Sequence, residues 1–134
     1  MRKVEHIGIA VKSLETAIPL YENLLNVTCY KTELVESEGV NTAFLRTGET
    51  KIELLEATRP DSPIAKFIEK KGEGIHHIAY DVTDIYSTMK RLQDEGFQLL
   101  NEQPKKGADN KLVCFVHPKS AGGVLTELCQ EIEA

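Results

Sequence analysis

The sequence predicts an α+β fold: duplicated βαβββ modules forming a curved eight-stranded mixed sheet with helices on the outer face. Three observations carry this expectation. VEHIGIAV at residues 4–11 returns as IHHIAYDV at residues 75–82, alternating as a strand does, with histidine in third place each time. A helical pattern follows each copy, and strand-like segments then close each half. Between the halves lies RPDSPIAKFIEKKGEG, whose prolines and glycines give it the character of a linker.

In the first half Val4, His6, Gly8 and Ala10 fall on one strand face, and Ile7, Ile9 and Val11 fall on the other. Ser13 stands where a helix N-cap belongs. Leu14, Ala17, Ile18, Tyr21, Leu24 and Leu25 follow at helical spacing, with Pro19 placed to kink or delay the helix. Residues 27–36, 40–47 and 50–57 read as strands, with turn signals at Glu38-Gly39 and Thr47-Gly48-Glu49. The linker is expected to hold a short helix from Ile64 to Lys70, ended by Gly72 and Gly74. In the second half Asp84 is placed to cap a helix bearing Ile85, Met89 and Leu92, which stops at Gly96; strands are expected at 97–101, 111–117 and 123–130. A single domain then divides into a first module at 1–58, a linker helix at 59–74 and a second module at 75–134.

The repeat holds position by position. A shift of 71 carries His6 to His77, Ile7 to Ile78, Val11 to Val82, Ser13 to Asp84, Leu14 to Ile85, Ile18 to Met89 and Phe44 to Phe115. The turn HPKSAGGV is longer than its counterpart, so Glu53 corresponds to Glu127 with a shift of 74, and IELLE matches TELCQ. Caps, helix faces and strand positions all agree, as a duplicated gene would leave them.

Size and composition bound the function. A chain of 134 residues can bury a core without disulfide staples. A net charge of −5 gives no basic face for nucleic acid. Cys29, Cys114 and Cys129 are odd in number, widely spaced and without a CxxC pair, which fits reduced thiols in a cytoplasmic protein rather than a disulfide framework. MRKVEHIG lacks the apolar run of a signal peptide, and no segment has the length and apolarity of a membrane span.

Duplication explains matching cores, but not polar residues inside apolar strands. His6 and Glu53 in one half are echoed by His77 and Glu127 in the other. Two imidazoles and two carboxylates make a donor set suited to a divalent ion such as Co, Ni, Zn, Mn or Fe, with room for water or substrate oxygens. Gly8, Ala10 and Ala79 share the histidine faces and leave open surface beside them. His76 points away from His77 by strand alternation and reads as a packing residue. His117, before Pro118 at a strand end, reads as a turn residue able to face a substrate.

These residues resemble the vicinal oxygen chelate superfamily, which includes glyoxalase I. Within it, EHIGIAV, IELLEATRPDSPIAKF, GEGIHHIAYDV and FVHPKSAGGVLTEL are similar to the methylmalonyl-CoA epimerase family, over nearly the whole chain. The resemblance implies interconversion of (R)- and (S)-methylmalonyl-CoA by removal and return of the C2 proton through a metal-stabilised enolate. It implies a divalent ion on His6, Glu53, His77 and Glu127, cobalt foremost, with zinc, nickel, manganese or magnesium as alternatives. Glu53 and Glu127 would be the opposed acid/base pair, because epimerisation needs proton transfer on both faces of a planar carbon. Some family members carry a catalytic Glu where this sequence has Thr42, and some carry Gln at the position of Glu53. Thr42 is therefore expected only to pack or hydrogen-bond to substrate.

Lys105, Lys106, Lys111 and Lys119 crowd residues 105–119, where Gly107 and Gly122-Gly123 permit close backbone approach. Lys106 and Lys119 are the expected contacts to the CoA phosphates, with Thr42 and His117 as further expected substrate contacts. Exposed strand edges further suggest a homodimer. Three other readings compete. A glyoxalase I (lactoylglutathione lyase)-type isomerase would use the same four ligands, and an iron dioxygenase would need only a two-His, one-carboxylate triad. A metal-free binding member of the superfamily could lack the ligands altogether.

Overall fold

The structure, a computed structural model, describes residues 1–132. Strands β1 (Lys3–Ala10), β2 (Lys31–Val35), β3 (Val40–Thr47), β4 (Thr50–Ala57), β5 (Gly74–Asp81), β6 (Lys105–Lys106), β7 (Lys111–Val116) and β8 (Thr126–Glu131) form an eight-stranded mixed sheet. Their order in it is β2-β3-β4-β1-β5-β8-β7-β6. Helix α1 (Leu14–Leu25) follows β1, α2 (Pro63–Lys71) lies in the linker, and α3 (Ile85–Asp94) follows β5. By compactness the chain forms two units: His6–His76, and Met1–Glu5 together with the chain from His77 onward.

The first of these units buries apolar side chains on both faces of its strands. On one face Val11, Ala43, Leu45 and Leu54 pack against Leu14 and Ala17 of α1, with Ile9, Ile18, Tyr21 and Ile52 around them. That is the face the sequence assigned to bulky residues. On the other face Ala10, Val40 and Leu55 receive Ile64 of α2, with Phe67 and Ile68 beside it. The linker helix thus plugs one end of the face that carries His6 and Gly8. Ser62 caps it through a bond from the Ile64 N–H (3.2 Å), and the His76 ring meets Phe67 edge-on at 5.0 Å, so His76 is a packing residue.

In the other unit Val82, Cys114, Val116 and Leu128 pack against Ile85, Met89 and Leu92 of α3. The Asp84 side chain accepts from the Tyr86 and Ser87 N–H groups, as an N-cap should. Ser13 occupies the equivalent place without making a side-chain cap bond. There the Leu14 N–H donates instead to Glu56 Oε1 on β4 (2.6 Å). The second helix has the matching bond as well, from Ile85 N–H to Gln130 Oε1 (2.7 Å).

Two strand expectations need correction. Residues 27–30 are not strand, because Glu22 holds them as a loop: its carboxylate accepts the Cys29 N–H (2.7 Å) and its carbonyl accepts the Val27 N–H. Residues 97–101 make only one bridge, Leu99 to Val116. Side chains interrupt the ladder on both sides of that bridge. Gln98 N–H bonds to the Ser120 hydroxyl, and Phe115 N–H bonds to Asn101 Oδ1. The short strand β6 instead pairs with β7 further on, Lys106 lying opposite Leu112.

Candidate metal and active site

In the His6–His76 unit, β1 and β4 run parallel with Gly8 opposite Glu53. Alternation puts His6, Gly8 and Glu53 on one face. His6 Nδ1 lies 3.2 Å from Glu53 Oε2, and both residues are buried to within 4% of full exclusion. Phe44 on β3 stands directly opposite Glu53, wholly buried. Thr42 is the next residue of β3 on that face and is also buried.

The unit formed by Met1–Glu5 and the chain from His77 onward repeats this arrangement on its own strands. β5 and β8 run parallel with Ala79 opposite Glu127. His77 Nε2 lies 3.3 Å from Glu127 Oε1, again nearly excluded from solvent. Phe115 stands opposite Glu127, and its ring meets the His77 ring edge-on at 5.8 Å. The registers coincide under the shifts read from sequence: Gly8 becomes Ala79, Phe44 becomes Phe115 and Glu53 becomes Glu127.

Burying a carboxylate costs several kcal/mol unless paired, and pairing rarely returns more than it costs. A fold seeking stability alone would fill these positions with apolar side chains. Each half instead keeps an imidazole nitrogen and a carboxylate oxygen side by side. These are ligand types that hold borderline divalent cations, so the donor chemistry fits a metal ion.

The remaining expected site residues separate. Thr42 lies on the ligand-bearing face of its own unit. His117 sits in the HPKS turn, where its Nδ1 accepts the Lys119 N–H (3.0 Å). Lys119 and Lys106 are exposed, on that turn and on β6 respectively. Lys111 is not a solvated lysine: its ammonium is buried, 4.0 Å from the Glu5 carboxylate. Arg2 and Asp81 form a second pair at 2.6 Å in the same unit. The sequence singled out neither Glu5 nor Asp81, whose partners lie far off along the chain. Phe44 and Phe115 were visible as repeat matches, but their place against the carboxylates depends on strand register. Burial, with Glu127 and Glu5 adding to it, pushes the Cys129 thiol far above its ordinary range.

Residues 5–115 match the model of the glyoxalase/bleomycin resistance protein/dioxygenase superfamily. The chain belongs to that superfamily. It is 42% identical over 130 residues to the ethylmalonyl-CoA/methylmalonyl-CoA epimerase of Cereibacter sphaeroides, covering 96% of this chain and 97% of that one. It is 40% identical to human mitochondrial methylmalonyl-CoA epimerase, over 96% of this chain and 73% of the human protein. A solved Streptomyces coelicolor methylmalonyl-CoA epimerase variant, in complex with 2-nitronate-propionyl-CoA, superposes with a TM-score of 0.93. It is 34% identical and each chain covers 99% of the other. No helix among the described residues is long and apolar enough to cross a membrane.

Proposed function

We propose that this protein interconverts (R)- and (S)-methylmalonyl-CoA, taking the proton from C2 and returning it to the opposite face. The observation that carries this reading is the buried His–Glu pair, present twice in one register, in a chain that matches a bacterial epimerase over 96% of its residues. His6, Glu53, His77 and Glu127 would hold a divalent ion, cobalt by preference. Bound there, such an ion supplies electrophilic stabilisation of negative charge developing on the thioester oxygen.

The chain's own residues do the rest. Glu53 and Glu127 are the acid/base pair, each acting as base for one epimer and as acid for the other. Phe44 and Phe115, opposite the two carboxylates, exclude water from them and so strengthen their electrostatics. Thr42 offers a hydroxyl for a hydrogen bond to substrate. His117, Lys106 and Lys119 are candidate contacts to the CoA part. The three unpaired cysteines suit a reducing cytoplasm, and the working unit is a homodimer.

The test is proton exchange at C2 in D2O, run on each epimer with the isolated protein, after chelation and after adding cobalt. Deuterium should enter from both epimers, stop on chelation and resume with cobalt. No exchange by the cobalt-loaded protein, or undiminished exchange after every divalent ion is stripped, rules the reading out. The glutathione hemithioacetal of methylglyoxal serves as the comparison substrate; turnover of it alone would favour glyoxalase-type chemistry.

A further inference from the structure

His117 holds a hydrogen-bond donor that its own turn does not use. Its ring nitrogen Nδ1 accepts the Lys119 N–H at 3.0 Å. A nitrogen that accepts carries no proton, so the neutral ring keeps its proton at Nε2 and presents an N–H away from the peptide it caps. Capping a turn asks only for an acceptor, which Asp, Asn or Ser supplies with a shorter side chain. An imidazole in that place brings a donor as well.

The turn holds the ring still. The chain is extended at His117 (φ −58°, ψ 136°), whose N–H donates to the Gln98 carbonyl at 2.8 Å. The Gln98 N–H donates to the Ser120 hydroxyl at 2.9 Å, and the Ser120 N–H to the His117 carbonyl at 2.9 Å. The Gly123 N–H closes the loop on the Pro118 carbonyl at 2.7 Å, with Gly123 at φ 92°, where a side chain would be strained. A donor fixed this way gives up little freedom when it binds.

Its place on the sheet says what reaches it. Phe115, two residues earlier along the chain, stands opposite Glu127. Alternation puts the His117 side chain on the same face, about 7 Å further along. In the other direction that face is closed: Val113 and Cys129 pair across the ladder, both buried, with Ala79 against them. Toward His117 it opens, since the residues of the turn are half-buried or exposed and Gly122, Gly123 and Val124 are exposed. A thioester with its C2 at Glu127 therefore runs out past Phe115 and His117. Beyond the acyl oxygens, the first strong acceptor it brings there is the amide carbonyl that follows the two-carbon bridge on the sulfur.

We infer that the His117 Nε2–H donates to this first amide carbonyl of the pantetheine arm and aligns the thioester along β7. The inference rests on the proposed epimerase reading and deepens it, giving His117 a donor atom, a tautomer and a partner on the substrate short of the phosphates.

Long-range 1H–15N NMR of the isolated protein reads the tautomer without substrate and should place the His117 proton on Nε2. Kinetics then compare three methylmalonyl thioesters: that of coenzyme A, that of N-acetylcysteamine, which keeps the amide carbonyl and little beyond it, and that of ethanethiol, which ends before it. His117→Asn keeps an acceptor for the Lys119 N–H and removes the donor, and a thermal scan checks folding. KM for the first two thioesters should rise about two- to tenfold, the range of one neutral hydrogen bond, with kcat changing less and the ethanethiol thioester unaffected. His117→Gln, which sets an amide N–H near the Nε2 position, should recover part of the loss. A proton on Nδ1 overturns the inference, as does an unchanged KM for both amide-bearing thioesters. A loss confined to methylmalonyl-CoA overturns it by moving the contact to the phosphates, and an equal loss on the ethanethiol thioester by reducing His117 to a turn residue. Absent C2 exchange by the wild type is the separate failure of the epimerase reading, and the inference falls with it.

Discussion

Replacing one carboxylate of the matched pair, Glu53→Gln or Glu127→Gln, gives the sharpest view of the proposed chemistry. Gln keeps the volume and one acceptor oxygen beside the imidazole, 3.2 Å from His6 or 3.3 Å from His77, but removes the charge and the basicity. Both sites are at most 6% exposed, so bulk water has little room to stand in as the base. A positioned acid/base group contributes about 10²–10⁴-fold to rate, which corresponds to about 3–5 kcal/mol of barrier. The two glutamates occupy equivalent registers in their own halves, so each should serve one epimer. Each variant should therefore slow deuterium wash-in from one epimer by that factor while sparing the other, and both should slow full epimerisation. The assay is NMR of C2 exchange from each pure epimer in D2O, on cobalt-loaded protein. Wild-type exchange from both epimers in both variants would refute the acid/base assignment.

Two further outcomes follow from local geometry. Asp84→Ala should cost about 1 kcal/mol in urea unfolding, the usual value of a lost cap, whereas Ser13→Ala should cost a few tenths, because its side chain makes no cap bond. Equal losses would show that the caps are misassigned. Burial raises the thiol pKa of Cys114 and Cys129, so a thiol reagent should label neither in the native protein, while all three cysteines react in denaturant. The unfolded thiols ionise near the ordinary value of 9.0 and the folded ones above it, so the stability these two thiols contribute is fully present below that pH and is lost as pH climbs above it.

Most of the fold was legible because its evidence was local and repeated. The 71-residue shift, the alternation around His6 and His77 and the helix faces beginning at Leu14 and Ile85 all survive in the structure. The matched positions of the four candidate ligands were legible for a related reason: polar residues recur at equivalent places in strands otherwise built for a core, and the structure gives them equivalent registers. What could not be read depends on register or on distant partners. Glu56 caps α1 from 42 residues away, and no local pattern announces it. Asn101 and Ser120 replace a ladder that the residue types at 97–101 favour. Arg46 and Lys51, which the sequence did not single out, stand opposite each other only through the register of β3 and β4.

The internal repeat also separates what the chemistry requires to be symmetric from what it does not. The proposed reaction moves a proton on either face of one carbon, and Glu53 and Glu127 have the same neighbours: a parallel strand with a small residue opposite, and a phenylalanine across the antiparallel ladder. The positions flanking these pairs do not share that symmetry. In the first half the far layer is apolar and plugged by α2, whereas the layer on the near side carries Lys31, Arg46 and Lys51. In the second half the positions equivalent to the apolar layer hold Lys111, paired with Glu5, and Asp81, paired with Arg2. Divergence around a retained pair of His–Glu sites is what two copies of one module would show if the proposed proton transfer alone held them alike.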